Sequence, residues 1–141
     1  MVDFNAAMAL ETEDKGLDLE ALREGVGSLL KDHSLGFYLL AESGETVVGQ
    51  LMVTTEWSDW RNAHFWWLQS LYVVPEFRRQ GVFRLLYDRV CQLASDAGNV
   101  CGLRLYVERS NHRAQQAYVN LGMALSHYDM YEVEFQGETG N

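Results

Sequence analysis

From His64 to Val74 the chain reads HFWWLQSLYVV, apolar almost without interruption until Pro75 closes the run. A strand with one wet face would alternate polar and apolar residues. This one does not, so it needs cover on both faces, which is the position of a central strand. Its neighbours supply the rest of a sheet. GFYLLAE (36–42) and TVVGQLMVTTEW (46–57) read as two further strands joined by a hairpin-like turn at Ser43-Gly44-Glu45, and SDWRN is the loop leading into the apolar run. Upstream, Leu19, Leu22, Val26, Leu29 and Leu30 form a helical stripe after Asp18, which suits an N-cap, and Gly36 ends that unit. A shorter helix is expected from Phe4 to Thr12.

Beyond Gly81, the residues Val82, Leu86, Val90, Leu93 and Ala97 recur at helical spacing until Gly98-Asn99 stops them. VCGLRLYVE (100–108) reads as another buried strand. Ser110 suits the cap of a last helix whose stripe is Ala114, Ala117, Tyr118 and Leu121, ended by Gly122, and ALSHYDMYEVEF (124–135) alternates like a final strand. The order helix, helix, three strands, helix, strand, helix, strand describes a mixed α/β (α+β) sheet with helices on its faces. A single domain over residues 1–136 is expected, with 137–141 as a flexible tail.

The totals exclude some classes of function. With 141 residues, 48% of them hydrophobic, the chain is long and apolar enough for one core. A net charge of −9 argues against general binding to nucleic acid or to an anionic membrane, because counterion release needs a basic surface. No apolar run approaches the roughly 20 residues of a membrane span, and the acidic N-terminus is unlike a signal peptide. Cys91 and Cys101 lie in apolar periodic segments and are expected to pack as small hydrophobes rather than to form a bridge. The expected setting is cytoplasmic, without nucleic-acid or membrane partners and without a metal.

Against that acidity, three of only eleven basic residues, Arg78, Arg79 and Arg84, surround Gly81 between the apolar strand and the helix. A helix starting there presents N–H groups and the positive end of its dipole, which suits a phosphate. The stretch has neither the Gly-Lys-Ser/Thr of a P-loop nor Gly-x-Gly-x-x-Gly. Taken alone, it fits equally a glycine that only opens a helix between solvated arginines.

Two stretches together resemble the GNAT superfamily of acetyl-CoA-dependent N-acetyltransferases. Arg78-Arg79-Gln80-Gly81-Val82-Phe83 matches its pyrophosphate signature, with LQSLYVVPE before it and FRLLYDRV after it. LRLYVERSNHRAQQAYVNLGM is similar to that fold's strand, asparagine and tyrosine-bearing helix. The likeness runs from about Gly36 to Glu134. It implies a mainly antiparallel central sheet flanked by helices, with the family's opening strand reduced or missing here, since no convincing strand precedes Phe4. Phe83 departs from the pattern by standing where the family has a small residue. The sheet edge left at the Phe37 strand would need cover from the N-terminal helices or a partner chain, which makes a homodimer an expectation.

The resemblance also implies a site. Backbone N–H groups from Arg79 to Arg84 (Arg79, Gln80, Gly81, Val82, Phe83, Arg84) would meet the pyrophosphate of acetyl-CoA, with charge-assisted contacts from Arg78 and Arg79. The backbone of Leu71, Tyr72 and Val73 would pair with the pantetheine arm, and the Leu71 N–H would serve as oxyanion donor. Asn111 matches the asparagine beside that arm. Tyr118 matches the tyrosine that protonates the departing thiolate, although its ring also belongs to the core stripe of its helix. An amine acceptor arrives protonated and needs a base. Glu56 is the first candidate, acting through water; Asp59, His64, Glu11 and Glu13 are alternatives, and Glu56 reads equally as a solvated strand end. Of the rings Trp57, Trp60, Phe65, Trp66 and Trp67, most are expected in the core. Trp57 and Trp67, with Gln69 and Glu11, are the candidates for an acceptor pocket that favours a cationic amine. Two readings of other classes stay open: a coenzyme A-binding module without catalysis, and an interaction protein that keeps only the fold.

Overall fold

A computed structural model describes residues 1–13 and 18–135, with no side chains described for 11–13. Its contacts divide the chain into two compact units, Met1–Asn111 and His112–Asn141. The first holds α1 (Val2–Glu13), α2 (Leu19–Lys31), β1 (Phe37–Ser43), β2 (Thr46–Ser58), β3 (Ala63–Val73), α3 (Val82–Ala97) and β4 (Val100–Arg104). The second holds α4 (His112–Asn120). No described helix is long and apolar enough to cross a membrane.

The sheet runs β1-β2-β3-β4, antiparallel between β1, β2 and β3 and parallel between β3 and β4. The apolar run thus forms an interior strand, as its composition required. One face carries the core: Leu51, Val53 and Leu68 close against Leu86 and Val90 of α3, with Phe37, Leu39, Trp66 and Leu71 packed around them. Gly49 sets how near α3 lies. A Cβ there would stand 3.0 Å from Val82 Cγ1 and 3.5 Å from Leu86 Cδ1, so a larger residue would press on the first turn of α3. On the other face, Phe4 of α1 stacks on Tyr72 with ring centroids 5.1 Å apart. Asp18 caps α2 as expected, its Oδ1 accepting from the N–H groups of Glu20 and Ala21.

Several expectations need correction. Residues 2 and 3 are helical, so they supply no stub of an opening strand, and β1 is the first strand among the described residues. The segment 100–108 is strand only to Arg104, because the parallel ladder ends at the pair Trp67 and Arg104 and β3 then departs from regular geometry. ALSHYDMYEVEF forms no strand: an alternating pattern selects a face, but a strand also needs a partner for its N–H and C=O groups, and Leu125, Tyr131, Val133 and Phe135 are exposed. Cys91 is half-buried, but Cys101 is exposed and its thiol donates to the His64 carbonyl at 3.3 Å; both cysteines are free. The expected tail, 137–141, lies outside the described residues.

Within the second unit, α4 starts at His112, so Asn111 and not Ser110 precedes its first residue. The Gly122 N–H donates to Val119 O and the Met123 N–H to Tyr118 O, a paired closure that ends the helix at the expected glycine.

Candidate active site

The site begins where β3 stops. Pro75–Phe77 form a single 3-10 turn, Arg78 to Gly81 turn the chain back, and α3 starts at Val82. Two of the turn residues are left-handed, Arg79 at φ 64° and Gly81 at φ 85°. For arginine that conformation costs about 1–2 kcal/mol, whereas glycine adopts it freely. Side chains hold the turn: Arg78 Nε donates to Val73 O at 2.8 Å with its guanidinium over the Tyr72 ring, and Gln80 Nε2 donates to Glu76 O at 2.9 Å.

Among the described residues no side chain caps α3, and its first turn holds no acidic residue. The Leu85 N–H donates to Gly81 O, so the N–H groups of Val82, Phe83 and Arg84 come before the first intrahelical bond and face out of the helix end. Among the described residues nothing stands within 4 Å of where a Gly81 side chain would begin, which leaves room for an anion beside the turn. Arg84 is exposed and pairs with Asp88 at 3.3 Å. Phe83 is half-buried, one turn before Tyr87 on the flank of the core-facing stripe.

Just upstream, β3 carries a bulge. Gln50 pairs with Tyr72 and Met52 with Gln69, so Ser70 and Leu71 together oppose Leu51. Ser70 takes the extra residue at φ 52°, another left-handed non-glycine position. Leu68 and Leu71, three apart, therefore both reach the core face. The Ser70 carbonyl accepts from Gln50 Nε2 at 2.8 Å; that same nitrogen donates to Asn5 Oδ1 of α1 at 2.7 Å. Gln50 is fully buried and its Oε1 finds no donor among the described residues, which costs about 1–3 kcal/mol. On its other edge, β3 pairs with β4 only through His64 to Trp67. No described strand occupies that edge from Leu68 to Val73, where an extended ligand would find main-chain partners.

The carboxylates are placed further along the same face. Register puts Met52, Thr54 and Glu56 of β2 beside Gln69, Trp67 and Phe65 of β3. Glu56 Oε1 accepts from Trp67 Nε1 at 2.7 Å, and both its oxygens accept from Arg104 Nη1 at 3.2 Å. Arg104 lies 3.5 Å over the Phe65 ring. Glu56 is thus not a merely solvated strand end, although it is 42% exposed. Gln69 Nε2 donates to Thr54 Oγ1 at 2.7 Å. Trp67 and Leu71 stand four positions apart on β3, roughly 13 Å at the usual strand rise, so Glu56 reaches the bulge only through bridging groups.

Other candidates stand apart. Asp59 caps its own turn, Oδ1 accepting from the Trp60 N–H. His64 packs its ring against Trp57 at the far end of β3, with Nδ1 buried and unpartnered among the described residues. The side chains of Glu11 and Glu13 lie outside the described residues. The expectation that most of the aromatic cluster is core needs correcting: Trp60 is 88% and Trp57 55% exposed, while Phe65 is buried and Trp66 packs on the core. Among the described residues, no three His, Cys, Asp or Glu side chains gather as metal ligands. Asn111 ends a turn, its N–H donating to Glu108 O at 2.9 Å. Tyr118 belongs to the second unit, and burial raises its phenol above the ordinary tyrosine value. Sequence reasoning missed Gln50, Asn5, Ser70 and Arg104. A lone amide inside TVVGQLMVTT was the available signal for the first.

The family described as Acetyltransferase (GNAT) family matches residues 4–123. The chain belongs to the GNAT family. Thialysine N-epsilon-acetyltransferase of Bos taurus is 34% identical to it across 84% of this chain and 73% of its own length. Among solved structures, a possible acetyltransferase from Clostridium difficile 630 is 43% identical at a TM-score of 0.89, covering 95% of this chain and 88% of that one. The structure of AAC(6')-Iy in complex with the bisubstrate analog CoA-S-monomethyl-acetylneamine shares the fold at 14% identity and a TM-score of 0.74, over 95% and 91% of the two chains. The mixed, mainly antiparallel sheet between helices is accordingly a GNAT fold, and this GNAT chain is an acetyltransferase whose family takes acetyl-CoA as co-substrate.

Proposed function

We propose that this chain transfers the acetyl group of acetyl-CoA to a primary amine, on a small molecule or a protein, by direct attack within a ternary complex. The observation that carries the reading is the start of α3 after a left-handed Gly81, without a side-chain cap among the described residues, directly downstream of a bulged strand whose β4 edge has no described partner strand beyond Trp67. The helix end takes the pyrophosphate on the N–H groups from Arg79 to Arg84, and Arg78 and Arg79 add charge. The pantetheine arm pairs with the Leu71–Val73 edge, with Asn111 beside it, and brings the thioester carbonyl to the Leu71 N–H. The amine nitrogen attacks that carbon while the Leu71 N–H stabilises the developing oxyanion. The carbon–sulfur bond then breaks, and the thiolate takes the Tyr118 proton. A phenol whose pKa is raised stays protonated at neutral pH, as a donor must.

Before the attack, one ammonium proton leaves towards Glu56 through water along Thr54 and Gln69, whose side chains lie between that carboxylate and the bulge; the second N–H proton leaves as the amide forms and restores the Tyr118 phenol. Trp67 and Arg104 hold the carboxylate in place for this. Trp57, Trp67, Gln69 and Glu11 border the acceptor. That the bovine relative is named for acetylating an ε-amine supports an amine over a hydroxyl acceptor.

The experiment is thiol release from acetyl-CoA with a panel of lysine, thialysine, an alkylamine and an aminoglycoside, against carboxylate and alcohol controls. Release with at least one amine and none with the controls is expected. Coenzyme A binding without release for any amine would replace the enzyme by a binding module.

A further inference from the structure

We infer that Gln50 is a positioning residue for the acetyl-transfer step, because its amide fixes the direction of the Leu71 N–H from across the sheet. The inference rests on the proposed role of that N–H.

Gln50 is fully buried in a strand whose buried neighbours are Val48, Leu51 and Val53. Only half of its amide is satisfied: Nε2 makes two hydrogen bonds, to Ser70 O and Asn5 Oδ1, while Oε1 makes none among the described residues. Methionine would fill the same length without an orphaned acceptor. The side chain is therefore explained by its donor, and its donor is spent on the bulge. Turning the amide over would set Oε1 against the Ser70 carbonyl, which can only accept, so Ser70 defines its orientation and Asn5 turns its own oxygen to match.

The Ser70 carbonyl and the Leu71 N–H belong to one planar trans peptide and point in opposite directions. A donor that anchors the oxygen therefore also fixes the direction of the N–H, opposite to the Gln50 amide. The local backbone does not hold this orientation by itself, since Ser70 sits at φ 52° without being glycine. Without the Gln50 bond, the extra residue can relax and rotate the peptide. Asn5 places one support of the site on α1, 45 residues upstream of Gln50.

Gln50→Met keeps the length and removes the donor. With acetyl-CoA and the best amine of the panel, kcat is expected to fall about 10- to 100-fold, less than or similar to deleting an oxyanion donor outright. KM for acetyl-CoA should stay within about threefold, because the pyrophosphate turn is untouched. In infrared difference spectra with acetyl-CoA labelled with 13C at the carbonyl, the bound thioester band should move toward its position in free acetyl-CoA. Adding Ser70→Gly, which accepts a left-handed φ without strain, should return most of both the band shift and kcat. Asn5→Leu tests the same chain of contacts if Gln50→Met does not fold: an intermediate band and a roughly three- to tenfold loss of kcat are expected. Wild-type kcat and a wild-type band in Gln50→Met, or in a folded Asn5→Leu when the first variant is lost, would overturn the inference. A fall in kcat with an unmoved band would overturn it too. If the wild-type protein binds acetyl-CoA yet releases no thiol, the proposed function fails first, and this inference fails with it.

Discussion

The two faces of the sheet are built on different principles. The α3 face is a closed apolar layer, Leu51, Val53, Leu68, Leu86 and Val90, in which every side chain has the same task. The opposite face carries Asn5 with Gln50, Thr54 with Gln69, and Glu56 with Trp67 and Arg104, each pair tied by a specific hydrogen bond. Apolar contact stabilises in proportion to area and tolerates small errors. A polar network has to meet distances and directions, and it costs free energy where a group such as Gln50 Oε1 is left over. One face thus supplies stability, and the other accepts a local cost to orient groups.

The sharpest way to break that contrast is to damage the apolar face. Leu51→Ala, at a fully buried position, should lower stability by about 3 kcal/mol in chemical denaturation. The kcat of the remaining folded protein should change little. A large loss of kcat at unchanged stability would erase the distinction between the faces.

A smaller effect is expected from Tyr118→Phe, which should reduce turnover about 10- to 100-fold and leave coenzyme A affinity within about twofold. Burial raises the Tyr118 phenol, so the folded chain keeps this proton at pH values where the unfolded chain has lost it. The stability so gained is whole below about pH 10 and is lost as pH rises through the folded value. Tyr87, raised by burial first and then by the neighbouring Cys91 thiol, acts in the same sense. Alkaline denaturation of Tyr118→Phe should therefore be shallower than that of the wild type, but not flat. An unchanged alkaline profile would remove Tyr118 from this argument.

The smallest effect belongs to the surface. Arg84→Ala removes an exposed i,i+4 pair with Asp88, and thermal unfolding should register at most about 0.5 kcal/mol. A larger destabilisation would mean that the charges around the turn support the fold itself.

The same contrast explains what could be read from residue order. Periodicity reports which side chains are apolar at regular spacing, and it located α2, α3 and the strands of the core face to within a few residues. The start of α3 was legible too, because Gly81 stands between basic residues after a proline-terminated strand. The bulge was not. HFWWLQSLYVV is apolar on both faces, so one inserted residue leaves no break in its pattern, and the frame shift shows only when Gln50 and Tyr72 are seen paired. Nor did the order of residues join Glu56 to Arg104, 48 positions apart. The alternation of residues 124–135 does not make a strand, because a pattern of faces specifies no partner strand.

The central claim is that main-chain N–H groups at the start of α3 hold a diphosphate, and titration calorimetry of coenzyme A into wild type and Gly81→Asp tests it most directly. Aspartate tolerates a left-handed φ better than most residues, so stability should fall by no more than about 2 kcal/mol. Its carboxylate should compete for the same N–H groups and weaken coenzyme A binding at least tenfold. Equal affinity in the two proteins, or no heat from millimolar coenzyme A with the wild type, would contradict the account.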